Sequence, residues 1–191
     1  MKKLLLIIAV FALVFNANAQ EIKFGVKAGI NFATIAGDET DDLKSKTTFH
    51  IGAVVEIPIS DSFSIQPELV YSSQGAKVDD NISDVELKLD YINLPIMAKF
   101  YVSEGFSLEA GPQVGFLMSS KIEEDGESED LKNETSGIDF GLNLGLGFKM
   151  ETGLNFGARY NLGLSNIWDF EDSDNFKNQN SVLQIFIGFT F

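Results

Sequence analysis

Residues 140–148, FGLNLGLGF, are large and apolar at every second position, with only glycine or asparagine between them. A period of two is typical of a β-strand whose two faces differ. A soluble protein turns the large face towards a hydrophobic core, whereas a membrane barrel turns it towards lipid. The fold therefore depends on which face of such strands is in contact with water.

The same alternation recurs in eight segments, and no segment shows a helical period. The segments span about residues 22–34, 47–59, 63–74, 87–102, 106–118, 137–150, 153–166 and 181–191. Most are at least twice as long as the roughly 5 or 6 residues usual in soluble strands, and tilted membrane strands need about 9 to 11. Four long connections alternate with three short turns, which places both ends of the barrel segment on the short-turn side. The sequence predicts an all-β, eight-stranded, antiparallel up-and-down transmembrane barrel.

The N-terminus has the pattern of a cleavable signal peptide. Lys2 and Lys3 precede an apolar run over residues 4–15, and the sequence Ala-Asn-Ala follows at 17–19. The apolar run is shorter than the roughly 18 to 20 residues that a membrane-spanning helix needs. We expect a signal peptide at 1–19, a barrel domain at 20–191, and export to the outer membrane.

The charge is strongly acidic and unevenly placed. The chain has a net charge of −14, and its four long connections hold 19 of the 28 acidic and 6 of the 14 basic residues. Such a surface repels nucleic acid, so we expect no nucleic-acid partner. The chain contains no cysteine. Disulfides and thiolate metal sites are therefore excluded.

Several features indicate that the large face points to lipid. The small face is rich in glycine, which suits the crowded interior of an eight-stranded barrel. It also carries charges of both signs that can pair inside a lumen. The cations are Lys23, Lys27, Lys99, Lys149 and Arg159, and the acids are Glu56, Glu68, Glu109 and Asp139. The chain ends in LQIFIGFTF, which resembles the terminal signal of outer-membrane barrels.

Five stretches together resemble a known family. They are GVKAGINFA (25–33), LDYINLPIMAKFYV (89–102), LEAGPQVGFLM (108–118), DFGLNLGLGFKM (139–150) and ARYNLGLSNI (158–167). They are similar to the PorT-like outer-membrane β-barrel family of the Bacteroidetes, across nearly all of the mature chain. The resemblance implies an eight-stranded barrel and supplies no catalytic motif.

The fourth segment departs from simple alternation. Its apolar residues occupy odd positions from Leu87 to Tyr91 and even positions from Ile92 onwards. We therefore predict a β-bulge within residues 91–93 that shifts the parity of this strand. Pro95 removes a ladder donor a few residues later.

Candidate chemistry is sparse. His50 is the only histidine, and it could serve a lipid-modifying enzyme only with a nucleophile and an orienting acid beside it. A lumen-facing structural histidine is the preferred interpretation. No catalytic, cofactor-binding or metal-binding residues are assigned.

The predicted lumen charges have two interpretations. Glu56, Glu68, Lys99, Glu109, Asp139, Lys149 and Arg159 could line an ion path or fill and rigidify the barrel. Eight strands leave room for side chains alone, which favours a filled lumen.

The acidic stretches EEDGESED (123–130) and DFEDSD (169–174) could bind calcium, although neither has EF-hand spacing. Solvated loop tips are the preferred interpretation. Aromatic residues near strand ends are expected to form an interfacial girdle. The candidates are Tyr71, Tyr91, Tyr101, Tyr160 and Trp168.

The sequence as a whole predicts a monomeric outer-membrane barrel with a structural or interaction role and no enzymatic activity. Its expected partners are outer-membrane lipid and, at the acidic loops, a protein or divalent cations. Recognition residues are expected within 119–136 or 167–180. The alternatives are a narrow pore for ions or small solutes, a soluble lipocalin-like periplasmic binder, and a lipid-modifying barrel enzyme.

Overall fold

The computed structural model describes residues 21–40, 42–78, 85–124, 126–170 and 177–191. Nine β-strands lie in these ranges. They are β1 Lys23–Gly37, β2 Leu43–Ser60, β3 Phe63–Val78, β4 Val85–Ser103, β5 Phe106–Glu124, β6 Glu127–Asp130, β7 Ile138–Lys149, β8 Leu154–Gly163 and β9 Asn178–Thr190. Within the same ranges, no helix is long and apolar enough to cross a membrane.

Eight of the strands close into a ring, in which each strand pairs antiparallel with its neighbours. The order around the ring is β1, β2, β3, β4, β5, β7, β8, β9, and β9 pairs with β1. The short β6 lies outside the ring as a hairpin partner of β5. The eight-stranded antiparallel up-and-down barrel predicted from the sequence is confirmed.

Large apolar side chains point away from the lumen all round the ring. In β7, Phe140, Leu142, Leu144, Leu146 and Phe148 are 38% to 55% exposed, and the positions between them face inward. A continuous exposed apolar band of this kind is stable in lipid and not in water. The lipocalin-like alternative, which needs this face turned inward, is therefore wrong.

Glycine on the inner face allows the strands to approach closely. A Cβ added at Gly29 would meet the backbone carbonyl oxygen of Ile185 and would lie 2.7 Å from Cε1 of His50. The period-two pattern thus combines bulky groups outside with small groups inside, as a narrow barrel requires.

The predicted parity shift of the fourth strand is wrong. Leu89, Tyr91, Asn93 and Met97 in β4 are all buried on the inner face, so the strand keeps one parity throughout. The register does shift here, but the extra residue is Met118 of β5, because Asp90 pairs with Ser119 and Tyr91 with Leu117. The apolar residues at odd positions therefore line the upper lumen.

The strands extend furthest at the long-loop end. β3, β4 and β5 continue well past the apolar band, and β6 adds a fourth strand to this projecting wall. The outward-facing Lys88 of β4 forms an ion pair with Glu123 of β5. Charged side chains on the outer face mark this segment as lying outside the hydrocarbon layer.

The predicted girdle is only partly present. Tyr160 is 43% exposed on the outer face, where it suits an interfacial position. Tyr91 is 1% exposed inside the barrel, and the hydroxyl of Tyr101 donates to a lumen carboxylate. Trp168 packs against buried residues above the lumen. Tyr91, Tyr101 and Trp168 therefore brace the interior and are not girdle residues.

Candidate functional site

The centre of the lumen is filled by a cluster of opposite charges around Arg159 of β8, which is 2% exposed. Its Nη1 and Nη2 donate to the two carboxylate oxygens of Glu68 at 2.9 Å each. Nη2 also donates to Oε2 of Glu109 at 3.1 Å, and Lys27 Nζ donates to Oε2 of Glu68 at 2.8 Å. The two-pronged contact of a guanidinium with a carboxylate is strong and directional.

Lys99 completes this group, which we call the central ion cluster (Lys27, Glu68, Lys99, Glu109 and Arg159). Lys99 Nζ lies 3.3 Å from Oε1 of Glu109 and donates to Gln66 at 3.2 Å. A void of only about 10 Å³ adjoins it, which is roughly the space for one water molecule. The cluster therefore closes the middle of the barrel.

Glu56 organises the short-turn end of the lumen. It accepts hydrogen bonds from Lys149 Nζ at 2.7 Å, from the Tyr101 hydroxyl at 2.6 Å and from Ser64 at 3.3 Å. Below it lies an open mouth of about 810 Å³, lined by polar and apolar residues of the turns. This end is wide at its opening and closed at the level of the ion cluster.

Above the cluster the lumen is lined by amides and hydroxyls. His50 Nδ1 lies 2.7 Å from the Oδ1 of Asn31, which also accepts from Gln184 at 3.0 Å. Within the described ranges, no polar atom partners His50 Nε2 and no carboxylate is bonded to the ring. The catalytic arrangement that an enzyme would need, a nucleophile and an acid beside His50, is therefore not assembled.

Asp139 occupies the next level of the lumen. It accepts hydrogen bonds from the Ser165 hydroxyl at 2.7 Å and from Asn180 Nδ2 at 3.2 Å. Asn180 Nδ2 also reaches the Tyr91 hydroxyl at 3.3 Å. The acid is thus held by neutral donors.

Three polar contacts join strands that face each other across the barrel. Two strands that are four positions apart in the ring lie opposite each other. The three opposite pairs concerned are β2 with β7, β3 with β8, and β4 with β9. These cross-lumen bridges are Glu56–Lys149, Glu68–Arg159 and Tyr91–Asn180. They occur at three levels of the lumen and fix the distance between opposite walls.

An apolar cap closes the lumen at the long-loop end. It consists of Ile35, Ala76, Leu89, Tyr91, Leu117 and Ile167, all at most 8% exposed. Leu43, Leu87 and Trp168 pack against it. This cap differs from the sequence-based prediction, in which a bulge explains the parity of Leu87 and Leu89 and no apolar group lies inside the lumen.

A second unpredicted group lies at the long-loop end, outside the apolar band. Glu86 forms ion pairs with Lys77 and, at 2.9 Å, with Lys46. Hydrogen bonds from Lys77 and Lys46 lower the pKa of Glu86 from 4.5 to about 2. This triad ties β2, β3 and β4 together where they project from the membrane.

Of the predicted lumen charges, eight of the nine lie on the inner face and make the contacts above, while Lys23 lines the short-turn mouth. The calcium candidates fall partly outside the described residues, since Asp125 and residues 171–176 are not described. Among the described residues, no group of three or more histidine or carboxylate side chains could hold a metal ion.

A family model described as outer membrane protein beta-barrel domain matches residues 18–169 of the chain. The structure is similar to Ail, the attachment invasion locus protein of Yersinia pestis, with 15% identity and a TM-score of 0.55. It is also similar to Neisserial surface protein A (NspA), with 11% identity and a TM-score of 0.58. Both matches cover 90% of this chain and 100% of the other. A search of curated proteins finds no significant match.

Proposed function

Because the chain belongs to the outer membrane protein beta-barrel domain family, we propose that it is a closed barrel whose long loops carry its role. That role is structural or interactive, and the protein has no catalytic activity. The observation that supports this proposal best is the double closure of the lumen by the central ion cluster and the apolar cap. A barrel whose lumen is closed at two levels does not provide a path for solutes. Partners can then be contacted only at the two ends of the barrel.

The long loops are the proposed contact surface and face the cell exterior, as they do in outer-membrane barrels. With 13 more acids than bases, they favour a cationic protein partner or divalent cations. One structure of Ail is a complex with the heparin analogue sucrose octasulfate. A polyanion of that kind is repelled by the loops of this chain, so we do not extend this ligand class to it.

We also propose the finer assignments made from the sequence. These are a signal peptide at 1–19, a mature barrel at 20–191, a monomeric state and membership of the PorT-like branch. N-terminal sequencing of the protein from isolated outer membranes tests the cleavage site, and a mature start at Gln20 is expected. A start further inside the chain would contradict it.

Recording ion currents across planar bilayers tests whether the lumen is closed or forms the narrow pore of the alternative interpretation. The purified barrel is expected to give no stable single-channel steps. Steady conductance that changes when Lys99 or Arg159 is neutralised would establish a pore through the ion cluster and overturn the proposal.

Cross-linking in intact cells tests the loop role. Neutralising β6 (Glu127→Gln, Glu129→Gln, Asp130→Asn) is expected to reduce recovery of a cross-linked partner. The matched control neutralises one acid in each short turn (Asp61→Asn, Glu104→Gln, Glu151→Gln) and should leave recovery unchanged. Equal loss in both variants would argue against a role for the long loops.

A further inference from the structure

A cavity of about 270 Å³ lies directly above the apolar cap. Ile35 and Ala76 belong to both the cap and the cavity, so the floor of the cavity is apolar and closed from below. Its main apolar lining residues are Ile35, Leu43, Val78, Leu87, Ile122 and Trp168. Its volume lies just below the roughly 300 to 1,000 Å³ found for drug-sized ligands, which suits a smaller molecule.

The walls of this cavity are held in place by hydrogen bonds. Trp168 Nε1 donates to Oδ1 of Asn178 at 3.2 Å, and Asn178 Nδ2 donates to the backbone oxygen of Asp38 at 2.8 Å. The backbone amide of Lys177 donates to Oδ2 of Asp38 at 2.9 Å. The indole and Asp38 are therefore positioned before any ligand arrives, which lowers the entropic cost of binding.

The charge at the rim has one sign. Asp38 and Glu39 are the charged residues that line the cavity in the described part of the chain, and both are exposed acids. Both carboxylates are solvent-exposed, so each contributes only a modest attraction for a cation. An apolar cleft with an acidic rim attracts a molecule with a cationic head and an apolar body.

We propose that this cavity binds a small amphipathic cation of the alkylammonium class. Its apolar chain occupies the space over the apolar cap, and its ammonium head stays at the Asp38–Glu39 rim. The site is lined by residues of all four long connections, and binding of a small ligand there is a role beyond the partner contacts proposed for the loop surface.

Trp168 provides the measurement, since it is the only tryptophan in the chain and lies in the cavity wall. The full barrel in lipid nanodiscs is titrated with hexyltrimethylammonium, hexanol and hexanesulfonate, which share one alkyl chain and differ in charge. A saturable change in Trp168 emission is expected for the cation, with affinity about tenfold higher than for the sulfonate. Absence of saturation, or equal responses to the three probes, would overturn the proposal.

Two variants with matched controls locate the binding. Val78→Phe fills the cavity and is expected to abolish the response, whereas Val26→Phe on the lipid face should leave it unchanged. Glu39→Gln should weaken binding of the cation by about 2- to 5-fold, and Glu151→Gln in a short turn should not. Gel mobility before and after boiling verifies folding of each variant. A folded Val78→Phe barrel that still binds like the wild type would refute the site.

Discussion

Arg159 shows how one residue can determine whether a polar lumen is stable. It is buried between two carboxylates from different strands, and its own strand supplies no partner for it. The ion pairs of such a buried group add little net stability. Removing the group is nevertheless costly, because its former partners stay buried with fewer contacts. Two buried acids without their main cation are far more costly than the ion pair is favourable.

We therefore expect Arg159→Ala to lower the free energy of unfolding by about 3–5 kcal/mol. Urea unfolding in lipid vesicles, followed by gel mobility, measures the change. Lys121→Ala, an exposed cation at the long-loop end, is the control and should change it by less than about 1 kcal/mol. Arg159→Lys keeps a cation beside Glu68 and Glu109 and should lose less stability than Arg159→Ala, whereas an equal loss would argue against a role for the charge.

The close approach at Gly29 leads to a second residue-level prediction. Gly29→Ala places a methyl group against the backbone of β9 and the His50 ring, and it should destabilise the barrel by about 1–3 kcal/mol. Gly137→Ala is the control, because a Cβ there meets nothing within 4 Å. Equal effects at the two positions in the same unfolding assay would contradict the packing argument.

At the level of the element, Met118 is the extra residue that lets β5 pair with β4 above and below the register shift. β5 pairs with β7 only from Phe106 to Phe116, so deletion of Met118 leaves that ladder intact. The deletion is expected to yield a folded barrel with the heat-dependent gel shift retained. Deletion of Leu144, inside the regular ladder of β7, shifts every later pair and should prevent folding.

The triad of Glu86 with Lys46 and Lys77 makes the projecting strands sensitive to acid. Because the folded pKa of Glu86 is lowered from 4.5 to about 2, its contribution is complete above about pH 4.5 and is lost as the pH falls towards 2. The stability difference between wild type and Glu86→Gln should therefore shrink over that interval. Urea unfolding at pH 7, 4 and 2.5 measures it, and a constant difference would contradict the assignment.

At the level of the whole molecule, the absence of cysteine makes the orientation directly measurable. Glu129→Cys in β6 should react with a membrane-impermeant maleimide on intact cells. Glu151→Cys in a short turn should react only after the outer membrane is permeabilised. The reverse labelling pattern would show that the barrel has the opposite orientation in the membrane.

The sequence predicted those parts of the fold that depend on the two-residue period of apolar side chains and on the lengths of strands and connections. Alternation such as that of residues 140–148 identified the strands and their outer face, and the remaining charges identified most of the lumen. The partner of a lumen charge could not be predicted in this way. Arg159 meets Glu68 because their strands lie opposite in the closed ring, and this depends on strand number and stagger.

The errors have a physical cause as well. The odd-numbered positions of Leu87 and Leu89 have two explanations, a shift in strand parity or an apolar group inside a polar lumen. The alternation of residues along one strand does not distinguish between them. The cap forms only where residues from several strands and the segment after β8 converge. Three consecutive apolar residues, Phe116, Leu117 and Met118, are the sequence signal from which a bulge in β5 could have been predicted.

The three cross-lumen bridges have a mechanical consequence. A tube of eight strands that is joined only along its wall can flatten into an ellipse when lateral pressure in the bilayer changes. Struts of fixed length between opposite walls, at three heights, resist that deformation in three directions. We therefore expect these contacts to limit changes in the cross-section under membrane tension, and with them changes in the spacing of the loops.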